Sequence, residues 1–400
     1  MAEGRNIELA APRDCTGCSA CHAACHVGAI LMTQDGEGFL RPRIEVAKCV
    51  GCGRCVKACP VLESVVPQTD PDKAALSYAA KSIDEKTRMA SSSGGLFHEI
   101  ATVVIADGGV VFGCRLEEGT LAAIHAYAET VDGLAPYRRS KYVQSDLRGS
   151  FRQCRDFLCK GKKVLFTGTP CQIAGLYSFL GKRPENLLTV DLFCHGTPSP
   201  AVFEKAKAEI ASKADSRLVA IEFRKKVQGE KWPYVEYRFE NPAKDFREPH
   251  YPSPFYQAFI NDLCLRPSCH RCRFNGGRSG ADITIADFRG LEWERPDLLD
   301  ETGVSAMIVR SEKAKMFISD LPSIVKIPVR YEQISGNSRS YHNSSRPIPP
   351  GRAWFMRKFQ YVSLAQCVAM AKDGGVWYRR LAKRFLSKLR AIAKRKWWRG

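Results

Sequence analysis

Eight cysteines near the start of the chain fall into two copies of one spacing. Cys15, Cys18, Cys21 and Cys25 read C-x2-C-x2-C-x3-C, and Cys49, Cys52, Cys55 and Cys59 repeat it, with Pro60 following. This is the bacterial-type run for two 4Fe-4S clusters, in which the fourth cysteine of each motif ligates the other cluster. The spacing predicts one cluster on Cys15, Cys18, Cys21 and Cys59, and a second on Cys49, Cys52, Cys55 and Cys25. Disulfides would need an oxidising compartment, and no charged-then-apolar leader with a small-residue cleavage site is found. Structural zinc prefers two CxxC knuckles separated by a longer spacer, whereas the first motif crowds four thiols into eleven residues. His26 follows Cys25 where a proline closes the second motif.

A third group, Cys264, Cys269 and Cys272, reads C-x4-C-x2-C and needs a distant fourth thiol to close a metal site, as in plant-type ferredoxins. Cys194 is the preferred fourth ligand and Cys171 the reserve. A zinc site or free thiols are the competing readings. Both Cys171 and Cys194 stand where an apolar run breaks. Lys163–Phe166 leads into Thr167-Gly168-Thr169-Pro170-Cys171-Gln172, and Leu187–Phe193 leads into Cys194-His195-Gly196-Thr197-Pro198. Strand, turn and helix in that order put ligands at the carboxyl edge of an α/β sheet.

The elements that must hold these residues follow from pattern. Four hundred residues with 44% hydrophobic content suggest two to three packed domains. Seventeen cysteines point to a reducing cytoplasm and metal work. No run of eighteen uncharged apolar residues occurs. The Pro-containing stretch from Glu63 to Asp72 reads as a linker. Ser91-Ser92-Ser93-Gly94-Gly95 opens a helical run from Leu96, which suits a phosphate and equally an ordinary cap. Strands are expected at 108–114 and 282–288, the second ending at Asp287, and an amphipathic stretch follows 141–145 through Phe157.

Of the net charge of +19, the last fifty residues supply two-thirds, with fourteen Lys/Arg against Asp373 alone. A basic tail is not the broad basic face that tracks a nucleic-acid backbone, so no nucleic-acid partner is expected. Leu381, Phe385, Leu389 and Ile392 form one stripe opposite ten Lys/Arg, ahead of Trp397-Trp398. That suits an anionic membrane surface; a solvated helix packed on its own domain is the other reading. The expected location is cytoplasmic, with or without peripheral membrane contact.

The ferredoxin motifs are followed by SSSGG at 91–95, KYVQS at 141–145 and GTPCQIAGL at 168–176. FCHGTPSP at 193–200, CLRPSCHRC at 264–272 and ADITIADF at 281–288 complete the series. Together, over residues 10–345, they resemble the coenzyme F-420 hydrogenase/dehydrogenase beta-subunit family. The resemblance implies an α+β ferredoxin-like domain with two 4Fe-4S clusters (1–66), then a mixed α/β flavin-binding region and a basic C-terminal helix. Within that region it implies a beta-subunit N-terminal domain (74–155) and a C-terminal domain with FAD and an inner cluster (156–345), before the tail (346–400). The flavin surroundings it implies are Ser91, Ser92, Ser93, Gly94 and Gly95, then Lys141, Tyr142, Gln144 and Ser145, then Thr167, Gly168, Thr169 and Gln172. The inner-cluster ligands it implies are Cys194, Cys264, Cys269 and Cys272. Two positions depart from the pattern: His270 where Tyr is usual, and Arg289 where relatives often carry Trp.

The activity so implied is an FAD-dependent iron–sulfur oxidoreductase passing electrons to or from a hydride carrier such as coenzyme F-420, with a ferredoxin or other redox partner protein. His195 is the candidate proton donor, since imidazole titrates near neutral pH; a structural role is its other reading. Two competing functions are a flavin-free electron-transfer adaptor and a membrane-peripheral redox sensor.

Overall fold

The computed structural model describes residues 7–63, 75–230, 232–336 and 345–372. Most of the expected linker and the whole amphipathic stretch 376–400 lie outside the described residues. Among the described residues no helix is long and apolar enough to cross a membrane.

The strands in chain order are β1 (Ile30–Gln34), β2 (Leu40–Ile44), β3 (Leu76–Ser82), β4 (Val110–Leu116), β5 (Ala123–Ala128), β6 (Val164–Thr167) and β7 (Leu187–Leu192). They continue as β8 (Leu218–Lys225), β9 (Tyr234–Phe239), β10 (Phe246–Pro249), β11 (Ile283–Asp287), β12 (Ser305–Val309) and β13 (Ile324–Pro328). The cysteine-rich domain pairs β1 with β2 and flanks the hairpin with two short helices, Ala20–Ala24 before it and Arg54–Lys57 after it. Both helices start just after a left-handed residue, Ser19 or Gly53, as the tight thiolate loops require.

The body is built on one eight-stranded sheet of order β13-β3-β12-β11-β7-β6-β4-β5. Its central strands β11, β7, β6 and β4 are parallel, and antiparallel neighbours close both flanks. Burial on both faces explains why β6 reads Val-Leu-Phe without alternation. Leu165 joins the cluster under the helix Leu96–Ala106, while Val164 and Phe166 face the helices Ser150–Cys159 and Pro170–Leu180. β3 comes from the 74–155 stretch yet lies between β12 and β13. The division at 155/156 therefore cuts the sequence but not the sheet.

A three-stranded sheet, β10-β9-β8, packs with the helices Pro200–Ala214, Pro254–Ile260, Arg352–Lys358 and Leu364–Lys372 in a separate core. The cysteine-rich domain is fastened to both parts. Cys18, Ala20 and Ala23 belong to the same apolar cluster as Phe151, Phe166 and Ile173. Gly38, at φ +82°, lets the β1–β2 turn close onto Ala201, where a side chain would collide. Beside it, Arg352 Nη1 donates to Glu37 Oε1 at 3.0 Å.

Candidate redox site

Each cysteine-rich helix faces its own ligands and lends one thiol to the other set. The side chains of Cys15, Cys18, Cys21 and Cys59 stand together, close enough to act on one another's charge. Cys25, Cys52 and Cys55 form the second set, and Cys49 packs against the same small core as Cys25 and Cys55. Burial raises the thiols of Cys18, to about 12, and of Cys21, Cys55 and Cys59. Such thiols stay protonated until a metal displaces the proton. Cys18 of the first set packs in the body's apolar cluster, whereas Cys52 of the second is exposed to solvent.

Inside the body, Cys171, Cys194, Cys269 and Cys272 line one small cavity together with Thr16 and His195. Burial raises Cys171, Cys194 and Cys272, and Cys194 feels the charge of Cys269, Cys171 and Cys272. Cys171 sits in the first turn of the helix Pro170–Leu180, where the positive dipole end favours a thiolate. The backbone N–H of Thr197 points at Cys269 Sγ from 3.4 Å. Cys264 is not part of this group. Hydrogen bonds from Ser199 N to Cys264 O and from Arg266 N to Thr197 O pin its segment against 197–199. Its fully buried side chain then lies in the apolar cluster with Phe203, Leu263 and Phe355. Of the ligand set implied from sequence, Cys194, Cys269 and Cys272 line this cavity and Cys264 does not, whereas the reserve Cys171 does.

Among the described residues, no three Cys, His, Asp or Glu groups converge as a single ion would require. A cubane asks for wider spacing, because its thiolates attach to four separate irons.

A second cavity, of about 350 Å³, opens at the carboxyl ends of β4, β6, β7 and β11. Its walls include Ser91, Ser92, Ser93, Gly95, Lys141, Tyr142, Ser145, Thr167, Gly168, Thr169 and Gln172, so three loops far apart in sequence meet there. Gly94 and Gln144 do not line it. A side chain on Gly94 would meet Ala80 O at 2.7 Å, and Gln144 turns away to accept from Arg266 Nη2 at 2.6 Å. The serines mostly shape their own loop. Ser91 Oγ donates to Thr87 O, Ser93 Oγ to Val304 O, and Ser92 Oγ accepts from Ser140 N. Lys226 holds the loop from below, donating to Ser93 O at 2.7 Å.

Three more polar groups set the cavity's character. Lys141 Nζ donates to Pro136 O and Arg138 O, and burial lowers its pKa to about 8. His125 donates from Nε2 to Thr167 O at 3.0 Å and accepts at Nδ1 from Ser145 Oγ at 2.9 Å; burial lowers it to about 4. Gln172 completes the chain, giving Nε2 to Ser145 Oγ and taking Thr169 N–H at Oε1. Arg138, Arg139, Arg224 and Arg289 add positive charge to the same walls. The Nε groups of Arg138 and Arg139 are buried without a hydrogen-bond partner. Asp287, at the end of β11, pairs with Arg224 at 2.8 Å. His125, Arg138, Arg139 and Arg224 went unmarked in the sequence, since none lies in a spaced motif; the Arg138-Arg139 pair just before Lys141 was the one available signal.

His195 borders both cavities, but its ring is already engaged. Nε2 donates to Asp262 Oδ1 at 2.7 Å, and Nδ1 accepts from Arg346 Nη1 at 3.1 Å. Both ring nitrogens therefore have protein partners, which favours its structural reading.

Comparison with known proteins follows the same division of the chain. Residues 161–328 match the family described as the C terminus of the coenzyme F420 hydrogenase/dehydrogenase beta subunit. These residues carry that family's domain. Residues 14–62 match the 4Fe-4S dicluster domain, so an iron–sulfur module precedes the beta-type domain in one polypeptide. Over 55 residues the chain is 38% identical to the B component of the Na(+)-translocating ferredoxin:NAD(+) oxidoreductase complex of Acetobacterium woodii. That match spans 14% of this chain and 15% of the relative. Among solved structures the chain is similar to the F420-reducing NiFe hydrogenase complex from Methanosarcina barkeri, with 14% identity and a TM-score of 0.48. The likeness covers 75% of this chain and 97% of that one. The chain thus joins a 4Fe-4S dicluster domain to a domain related to the C terminus of the F420 hydrogenase/dehydrogenase beta subunit.

Proposed function

We propose that this chain is an FAD-dependent iron–sulfur oxidoreductase, passing electrons between 4Fe-4S clusters and a two-electron hydride carrier such as coenzyme F420. One observation carries the reading: Cys194, His195, Gly196 and Thr197 form a wall common to the thiol-lined cavity and the larger one. A centre that handles single electrons and a pocket large enough for a ring cofactor are therefore neighbours. FAD bound in the larger cavity would supply the exchange between one-electron and hydride chemistry.

The chain's own residues do the positioning. The start of the helix Leu96–Ala106, with Arg138 and Arg139 beside it, offers backbone N–H groups and unpartnered guanidinium nitrogens to the phosphates. Thr167–Gln172, braced by His125 and Ser145, forms the rigid wall toward the thiols. Cys171, Cys194, Cys269 and Cys272 would hold the inner cluster, next to Cys18 of the first ferredoxin set. The Cys25, Cys49, Cys52 and Cys55 set is the solvent end, where a ferredoxin or other redox partner would exchange electrons.

Oxygen-free purification with iron, sulfide and released flavin quantified tests the reading. The expected result is all three, with FAD occupancy lost in a Gly168→Val variant. Brown iron–sulfur absorption without flavin overturns the FAD assignment and leaves an electron-transfer adaptor. Full flavin occupancy in Gly168→Val overturns the placement of the ring cofactor.

A further inference from the structure

Arg266 is a charged side chain with 0% exposure, and it lies between two thiol groups. Its guanidinium donates to Cys15 O at 3.1 Å, Leu40 O at 2.8 Å and Gln144 Oε1 at 2.6 Å. It stands over the Phe39 ring, 4.9 Å from the centroid. All these acceptors are neutral. Among the described residues no carboxylate pairs with it, although the same structure pairs the nearly buried Arg352 with Glu37.

A buried cation is costly unless something of opposite charge compensates it. The groups able to do so here are thiolates. Cys15 on one side and Cys269 and Cys171 on the other lie close enough to act on its charge. The surrounding chain leaves room for the group. Gly17, inside the first cysteine motif, holds φ +69°, and a side-chain carbon there would come within 2.6 Å of Arg266 Nη2. Gln144, the one member of KYVQS that turns from the cavity, is its direct acceptor.

We infer that Arg266 is a positioning and charge-compensating residue between two clusters, the first ferredoxin cluster on Cys15, Cys18, Cys21 and Cys59 and the inner cluster on Cys171, Cys194, Cys269 and Cys272. This rests on the iron–sulfur reading above. Each electron that enters either cluster adds one negative charge. A permanent positive charge between them favours that electron on both, and so raises both reduction potentials together. Net charge and hydrogen bonding near the ligands are the protein's levers on cluster potential. Arg266 acts through both, by its charge and through the Cys15 carbonyl.

The test uses the full chain, purified without oxygen, as wild type and as Arg266→Lys, Arg266→Gln and Arg266→Met. Iron and sulfide are measured first, then cluster midpoint potentials by titration followed with electron paramagnetic resonance. In the two neutral variants, reduction of the first and inner clusters should become harder by about tenfold, ~59 mV for a one-electron couple. The cluster on Cys25, Cys49, Cys52 and Cys55 is the internal control and should move by less than about threefold. Lys should recover most of the shift. Loss of iron from Gln and Met but not from Lys also supports the inference, because charge alone separates them. Unchanged potentials in an iron-replete Gln or Met variant overturn it, as does an equal shift or equal iron loss in all three. A wild type without iron or sulfide is a different failure, that of the iron–sulfur reading itself.

Discussion

Cys18 Sγ stands 2.9 Å from where a side-chain carbon on Gly175 would begin. One residue belongs to the first ferredoxin motif and the other to the helix that starts with Pro170 and Cys171. Glycine in a helix interior costs stability, and here its absent side chain is what lets the first ferredoxin motif pack against the helix that carries Cys171. In Gly175→Val the ferredoxin domain must shift. Electron transfer from the outer clusters to the inner one should slow by at least about tenfold, since ångström-scale displacements already cost that much in positioned chemistry. Rapid-mixing absorbance of the reduced chain measures it, and a wild-type rate would show that the contact is incidental.

Cysteine substitutions separate the two ligand assignments for the inner cluster. Cys171→Ser should cost the protein about four iron atoms per chain, one cubane's worth. Cys264→Ser should keep them all, because that thiol lies among apolar side chains, and its penalty should appear as lowered stability. The reverse pattern of iron content would restore the C-x4-C-x2-C reading.

The Glu37–Arg352 pair ties the ferredoxin hairpin to a helix near the end of the described chain. Arg352 also donates to Leu265 O, at 2.7 Å from Nη2, so Glu37→Ala would leave a nearly buried guanidinium short of its counter-charge. A fully buried pair loses about 3–5 kcal/mol when one partner goes, and the one-third exposed Glu37 side chain lowers that to about 1–3 kcal/mol. Chemical denaturation of the cluster-loaded protein reads this directly. No measurable change would mean that Arg352 finds water or another acceptor.

Acid should weaken the cavity wall through His125. Its unfolded value is about 6.5 and burial lowers the folded one to about 4. Between them the unfolded chain binds the extra proton, so stability is fully present above about pH 6.5 and falls as pH drops toward 4. Burial lowers His250 to about 4 as well, which adds to the same slope. His125→Gln should reduce the pH dependence of unfolding across that window by about one proton. A slope identical to wild type would show that His125 takes up its proton while folded.

Much of the site was legible in spacing. Cluster-binding thiols must come from a short stretch of backbone wrapped around each cube, so the eight ferredoxin cysteines and their exchanged fourth members leave a regular signature in the chain. The strand–turn–helix patterns at 163–180 and 187–200 were equally local. They were read correctly as loops at the carboxyl edge of a parallel sheet. The spacing of Cys264 to Cys269 shows nothing of the backbone pairing with 197–199 that turns the Cys264 side chain into an apolar core. A histidine beside a cysteine likewise shows nothing of the Asp262 and Arg346 that contact the His195 ring.

Sequence alone determined the pattern of the chemistry: the 4Fe-4S spacing of the first domain, which loops gather around the cavity, and which family the body resembles. Those properties depend on neighbours along the chain, and such order survives in a string of letters. Tertiary structure alone decided which four thiols line the small cavity, the contacts of the His195 ring, the exit of Gly94 and Gln144 from the larger cavity's wall, and the burial of Arg266 between two thiol groups. Each of these depends on contacts between segments far apart in the chain, where packing and the compensation of buried charge, not spacing, select the partner.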